Sequence, residues 1–197
     1  MKGTKRVVIA YGRFNPPTIG HEKLIKKVMS VSAQFGSADW FIIPSFSFDK
    51  GKNPLSYEYK TQLMEDMFPF AKGHIDTGGC CKDPFFAMSY MSSKGYTDVK
   101  FVAGSDRVTQ YQKGFAPVEE GGQNGKMGTK TPFAFNSVEV ISAGERDPDS
   151  DTASGMSASK LRQLAKEGKT TEFMKGLPDT ISASYKVAVM NKILENI

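Results

Sequence analysis

The sequence predicts an α/β fold, a doubly wound parallel sheet of about five strands with helices on both faces. Three observations predict it. Short, wholly apolar runs alternate along the chain with amphipathic stretches, and strands apolar on both sides belong to sheets covered on both faces. Glycine or proline closes most of these runs, at Gly12, Pro44 and Gly104. The length of 197 residues suits one domain of this kind rather than a string of them.

The first run is Val7, Val8, Ile9, Ala10 and Tyr11, ended by Gly12. Pro16 and Pro17 mark the turn after it. From Ile19 the apolar positions Leu24, Ile25, Val28, Met29 and Val31 fall at helical spacing, with Lys23, Lys26 and Lys27 among them. This predicts an amphipathic helix ending near Gly36. Trp40, Phe41, Ile42 and Ile43 form the second strand, with Trp40 in the core. A polar loop then runs to Pro54, and Ser56 is placed to N-cap a helix carrying Tyr59, Leu63, Met64 and Met67. A weak strand is expected at 74–77, a helix at 85–91 and a clear strand at 99–103. Residues 113–132 are rich in glycine and read as a long surface loop, more mobile than the sheet. A last strand is expected at 138–141, with helices at 157–166 and 185–193. The chain is expected to be one domain, with a core of about 5–167 and a helical segment of about 168–197.

Composition narrows the functional classes. Hydrophobic residues are 39% and charged residues 24%, as in soluble globular chains and unlike disordered ones. A formal charge of +5 suits a polyphosphate ligand; a nucleic-acid partner is permitted but less expected. Cys80 and Cys81 are adjacent. They give neither a disulfide framework nor the spacing of a zinc site, so no metal ligands are named and a reducing cytoplasm is the simplest compartment. Asp147, Asp149 and Asp151 read as solvated turn residues and His74 as structural or exposed. No apolar run follows the N-terminal lysines as in a signal peptide, and none reaches membrane-spanning length.

Ligands of open parallel sheets bind beyond the carboxyl ends of the strands. That rule selects the loops at 12–21, 104–107 and 149–162. The first reads Gly12-Arg13-Phe14-Asn15-Pro16-Pro17-Thr18-Ile19-Gly20-His21. Glycine after the strand permits close backbone approach, and the following helix start supplies unpaired N–H groups and a positive dipole end suited to phosphate. Thr18 and His21 are three apart and point the same way on a helical turn. His21 can then donate to a phosphoryl oxygen as charge builds on it. The last loop carries Ser157 and Ser159 at a helix start and Arg162 one turn in, where a guanidinium can fork onto phosphate oxygens.

The first segment resembles the (H/T)xGH signature of the nucleotidylyltransferase superfamily in its GxFxPxxxGH context. Gly12, Phe14, Pro16, Gly20 and His21 match, and Thr18 stands where histidine is usual. Met156 to Arg162 resembles that superfamily's ISSTxIR motif, with Met156 and Ala158 as departures. Gly104-Ser105-Asp106 resembles its GxD element, and the segment Asn53-Pro54-Leu55-Ser56 one found in mononucleotide adenylyltransferases.

The resemblance implies a Rossmann-like fold and transfer of a nucleotidyl group, AMP from ATP foremost, to a phosphate-bearing acceptor such as nicotinamide mononucleotide, with pyrophosphate leaving. Cytidylyl transfer from CTP and pantetheine-phosphate adenylylation are open. It implies catalytic roles for His21, Thr18 and Arg162. Nucleotide contacts fall to Gly12, Arg13, Phe14, Gly20, Gly104, Asp106, Ser157 and Ser159, with Lys52, Lys60 and Arg146 as weaker substrate contacts. Magnesium (Mg2+) is expected with the triphosphate, and a homo-oligomer is left open. The chain is also similar to nucleotidyltransferase-like proteins of tailed bacteriophages, which would place it in a host cytoplasm. Two other readings stand beside this one. A non-catalytic nucleotide-fold module, binding or virion-associated, is the first. An adenylating protein like the class I aminoacyl-tRNA synthetases is the second, because Thr18 to His21 echoes HIGH and Met156 to Lys160 echoes KMSKS.

Overall fold

The sheet is built from four strands, β1 (Arg6–Gly12), β2 (Asp39–Pro44), β3 (Asp98–Ala103) and β4 (Ser137–Ser142), in the order β2-β1-β3-β4. The computed structural model describes residues 3–124, 132–144 and 156–197. β1 runs parallel to β3 with Arg6 opposite Asp98 and Ile9 opposite Phe101, and β3 runs parallel to β4 with Asp98 opposite Ser137. Chain order reverses between β1 and β3, the switch point at which sheets of this kind bind ligands. The fifth strand expected at 74–77 does not form among the described residues; Ile75 makes only an isolated bridge.

The described residues fall into two compact units. One holds 3–11, 24–43, 80–124 and 132–144, and the other 12–23, 44–79 and 156–197.

The first unit is the sheet and its helices. Side chains of a strand alternate between faces. On one face Val7, Ile9, Ile43, Val99, Phe101, Ala103 and Val140 are buried with Ala87, Met88 and Met91 of α3 (Pro84–Ser93) and Phe115 of α4 (Ser105–Phe115). On the other, Val8, Ala10, Ile42 and Val102 are buried. There Phe35, just past α1 (Ile19–Gln34), lies under the cations of Arg6 and Lys100, at 5.3 and 4.6 Å from its ring centre. Helices therefore cover both faces, as expected. β2 is an edge strand, which leaves Trp40 half-buried rather than in the core.

Phe115 explains why the loop expected at 113–132 begins later. Its ring meets Phe85, Phe101, Tyr111 and Phe133 at 5.0–6.0 Å between centroids. That cluster keeps α4 helical through residue 115, and a 3-10 turn follows at Val118–Glu120. Asn124 then exchanges two hydrogen bonds with the backbone of Phe133, at 2.9 and 3.2 Å. The rest of that loop, 125–131, lies outside the described residues.

The second unit is helical: α2 (Tyr57–Met67), a 3-10 turn at Pro69–Ala71, α5 (Ala158–Lys166), α6 (Thr170–Lys175) and α7 (Ala183–Leu194). Ser56 caps α2 as expected, accepting from the Tyr59 N–H at 3.2 Å. The expected boundary near residue 167 does not divide the chain. Leu161, Leu164 and Ala165 of α5 bury their apolar stripe with Phe173, Leu177, Val189 and Ile193, so α5 belongs with the helices that follow it.

Cys80 and Cys81, expected to take no part in a disulfide framework, are joined to each other. The bond links neighbours and closes no loop of chain. His74 is half-buried. No helix among the described residues is long and apolar enough to cross a membrane. Phe115→Ala is expected to cost about 3–5 kcal/mol, because it opens a cavity between several rings. Equilibrium urea unfolding measures it, and a loss below 1 kcal/mol would show that the cluster repacks.

Candidate active site

The segment from Gly12 to His21 is shaped by its own side chains. Phe14 is 1% exposed and takes a left-handed backbone conformation, φ 47°, unusual for a bulky residue. Its ring folds back on Gly12, where a Cβ would come within 2.9 Å of it. The glycine is therefore required by Phe14, whereas the sequence had suggested close approach of a ligand. The same ring packs on the His21 imidazole with centroids 4.7 Å apart, so Phe14 supports the histidine and offers almost no surface to a nucleotide.

Thr18 and His21 meet as their spacing predicted. The Thr18 N–H donates to His21 Nδ1 at 2.9 Å, and Thr18 Oγ1 lies 3.0 Å from the same nitrogen. A backbone N–H can only donate, so Nδ1 is an acceptor and the ring proton sits on Nε2. Gly20 lies in the first turn of α1. The start of that helix is tied down by the Ile19 N–H, which donates to the Gly176 carbonyl at 2.9 Å.

Asn15 joins this segment to the rest of its unit. Its side chain donates to the Leu55 carbonyl and accepts from the Leu55 N–H, both at 2.9 Å, and the residue is 1% exposed. The Asn15–Pro16 peptide is cis. The Asn15 carbonyl accepts from Arg162 Nη1 at 2.6 Å, while Arg162 Nη2 donates to Ser159 Oγ at 3.0 Å. Arg162 thus connects the two motifs, and part of its fork is committed to protein. Ser157 caps α5 by accepting from the Lys160 N–H at 3.1 Å. Ser159 is exposed.

The electrostatics of this corner are positive. Burial, then the like charge of Arg13, lowers the Arg162 pKa, and the Asp49 carboxylate opposes them. Arg13 is exposed, and no hydrogen bond or ion pair engages its guanidinium among the described residues. Asp49 is held by the Asn53 side chain and by the N–H groups of Lys52 and Asn53, which keep its carboxyl below the usual range. The Lys52 side chain is exposed at the tip of this turn.

Lys60 is corrected. It was expected to reach a substrate, but it is fully buried, and its Nζ donates to the carbonyls of Arg13 at 2.9 Å and Ser45 at 2.5 Å. Sequence reasoning missed Ser45 altogether. Its N–H donates to the Gly12 carbonyl at 2.8 Å, and its buried Oγ has no hydrogen-bond partner among the described residues. Position just past the carboxyl end of β2 was the one signal that pointed to it.

Gly104 and Asp106 belong to the first unit. Gly104 precedes α4 and the exposed Asp106 carboxylate folds over it, 2.7 Å from where a Cβ would stand. Asp106 also pairs with Arg107 at 3.3 Å. Arg146 lies outside the described residues, as do Asp147, Asp149 and Asp151. No group of three or more His, Cys, Asp or Glu side chains that could hold a metal ion occurs among the described residues.

With this geometry in view, comparison with solved structures decides the fold. A structure named as a candidate nicotinate-nucleotide adenylyltransferase from Vibrio parahaemolyticus aligns with a TM-score of 0.53 over 97% of this chain and 99% of that one, at 16% identity. The chain shares its fold. A Plasmodium falciparum nicotinic acid mononucleotide adenylyltransferase complexed with APC aligns with a TM-score of 0.52 over 95% and 98% of the two chains, at 15% identity. In sequence, a probable nicotinate-nucleotide adenylyltransferase of Acholeplasma laidlawii is 29% identical over 107 residues, 52% of this chain and 55% of that protein. The match thus spans about half the length of that curated relative. No family model matches the chain.

Asn15→Ala is expected to destabilise the protein by several kcal/mol, because each buried Leu55 group left without a partner costs about 1–3 kcal/mol. Urea unfolding tests it. A change under 1 kcal/mol would mean that water replaces the amide.

Proposed function

We propose that this chain is a nucleotidylyltransferase that moves AMP from ATP onto the phosphate of a pyridine mononucleotide. Nicotinate mononucleotide stands ahead of the nicotinamide form, because all three relatives are named for the acid. The observation that carries the reading is the His21 ring, oriented by the Thr18 N–H so that Nε2 bears the proton, in the unit that also holds Arg13 and Arg162.

In the reaction an oxygen of the acceptor phosphate forms a bond to the α-phosphorus. The bond from that phosphorus to the bridging oxygen of pyrophosphate breaks, and the oxygen leaves with the electron pair. No bond to the protein is needed, so the chain contributes positioning and charge stabilisation. His21 Nε2–H donates to the reacting phosphoryl group, and Arg13 and Arg162 hold the β- and γ-phosphates with the Ser159 hydroxyl. A magnesium ion bound with the triphosphate would neutralise part of the charge on its phosphates.

His21→Ala is expected to keep the fold and to lower kcat about 10²–10³-fold, the loss typical of one transition-state donor. Pyrophosphate release with ATP or CTP and a panel of phosphorylated acceptors measures it. Wild-type turnover in the variant would remove His21 from the chemistry. ATP binding without pyrophosphate release from any acceptor would favour a binding module instead. Arg162→Lys keeps the charge but loses the planar fork. It is expected to weaken ATP binding by about 1–3 kcal/mol and to leave AMP binding nearly unchanged. Calorimetric titration of both nucleotides decides this, and equal ATP affinities would take Arg162 out of the site.

A further inference from the structure

Lys60, like Phe14, is a candidate contact that the structure turns inward, and its surroundings give it another task. Its ammonium is fully buried yet faces two carbonyls and no carboxylate among the described residues. One carbonyl is that of Arg13 and the other that of Ser45, whose own N–H donates to the Gly12 carbonyl. The backbone at 12 and 13 is thus held from two sides while the Arg13 side chain is left exposed. An exposed arginine loses much rotamer freedom when it grips a phosphate. Fixing the backbone from which it springs reduces the part of that loss which belongs to the loop.

We propose that Lys60 is the positioning residue of the phosphate-binding corner. Its ammonium clamps the carbonyls of Arg13 and Ser45, so setting the direction in which the Arg13 guanidinium meets a polyphosphate. This rests on the nucleotide-binding reading above and adds to it a residue that touches no substrate.

A consequence for proton uptake follows from charge. A buried ammonium without a counter-ion is disfavoured, and burial brings Lys60 down to about 8. The charged and titratable groups on the elements that build this corner include Arg13 and His21 on the 12–21 segment, Asp49, Lys50 and Lys52 on the loop after β2, Arg162 on α5, and Tyr57 and Glu58 on α2 itself. The Tyr57 ring centre is 5.7 Å from Nζ. Burial and Asp76 push the Tyr57 phenol up, so it stays neutral. Among these the cations Arg13, Lys50, Lys52 and Arg162 outnumber the carboxylates Asp49 and Glu58. A polyphosphate at Arg13 favours the charged ammonium and raises its pKa. Binding near pH 8 therefore takes up a proton, and affinity falls as the pH rises past 8.

The test uses the full chain and ATP with magnesium, titrated calorimetrically at pH 8 in two buffers of different ionisation enthalpy. Wild type is expected to take up a fraction of a proton on binding. Lys60→Met is expected to take up none from this source and to bind ATP about tenfold more weakly. In an Arg13→Ala background Lys60→Met should add little, because it acts through Arg13, and interacting sites are non-additive. Binding of AMP, which lacks the β- and γ-phosphates, should change much less, whereas general loosening of the fold would weaken both ligands alike. Additive losses for Lys60→Met and Arg13→Ala overturn the proposal. So does wild-type binding of ATP with no proton uptake, a measurement that stands even if Lys60→Met does not fold. A wild-type chain that binds no ATP removes the nucleotide reading and this proposal together; failure of the cycle or of the uptake alone removes only this one.

Discussion

Three stretches of chain far apart in sequence are joined at Asn15. Its amide pairs with both backbone groups of Leu55, and its carbonyl takes the Arg162 guanidinium. These are polar groups at a position almost wholly shielded from water. In such a place a hydrogen bond stabilises modestly, but a missing partner costs the full desolvation of the group left behind. The junction is therefore cooperative. The two motifs and the start of α2 hold one another in place, and none can shift without stranding a polar group of another.

The same economy applies to His21. Its orientation comes from a main-chain N–H, with the Thr18 hydroxyl beside it. With any residue but proline at position 18, the backbone there still donates to Nδ1 as long as the turn keeps its shape. Threonine at position 18 thus leaves the tautomer of His21 fixed. What holds the turn is Phe14, whose ring lies between Gly12 and His21 in a backbone conformation that costs energy. Strain of this kind persists where the surroundings over-determine it, and here Asn15, Ser45 and Lys60 do so.

Much of this was legible in the sequence, for identifiable reasons. β1 to β4 are short apolar runs with stops, α2 has its serine cap, and α5 has a sharp apolar stripe. The (H/T)xGH-like segment is contiguous, so its internal contacts are local and its spacing foretells them. α4 was passed over although Val108, Tyr111 and Phe115 fall at helical spacing, because the glycines beyond it drew the loop boundary too early. The fifth strand failed because one buried isoleucine at 75 does not make a strand without a partner edge. Lys60 was misjudged for a deeper reason. A lysine beside a polar, basic loop looks solvated, and only the fold reveals that two carbonyls converge on it. Arg162 stands one turn inside α5, beside Ser159, as its spacing foretold, but its bond to a carbonyl 147 residues away has no local trace.

Charge explains why such a corner should be built for an anion. Burial disfavours the charged Arg162, the like charge of Arg13 adds to this, and Asp49 offsets only part of it. Lys60 adds a third cation, with no counter-ion among the described residues. A fold that needed only stability would have little use for this arrangement, since unpaired buried charge is among the costlier things a core can contain. The repulsion is present in the free chain, and a polyanion bound here, as proposed, would relieve it. Relief of that kind belongs to the bound state alone, so it adds to affinity what the free protein has already lost in stability.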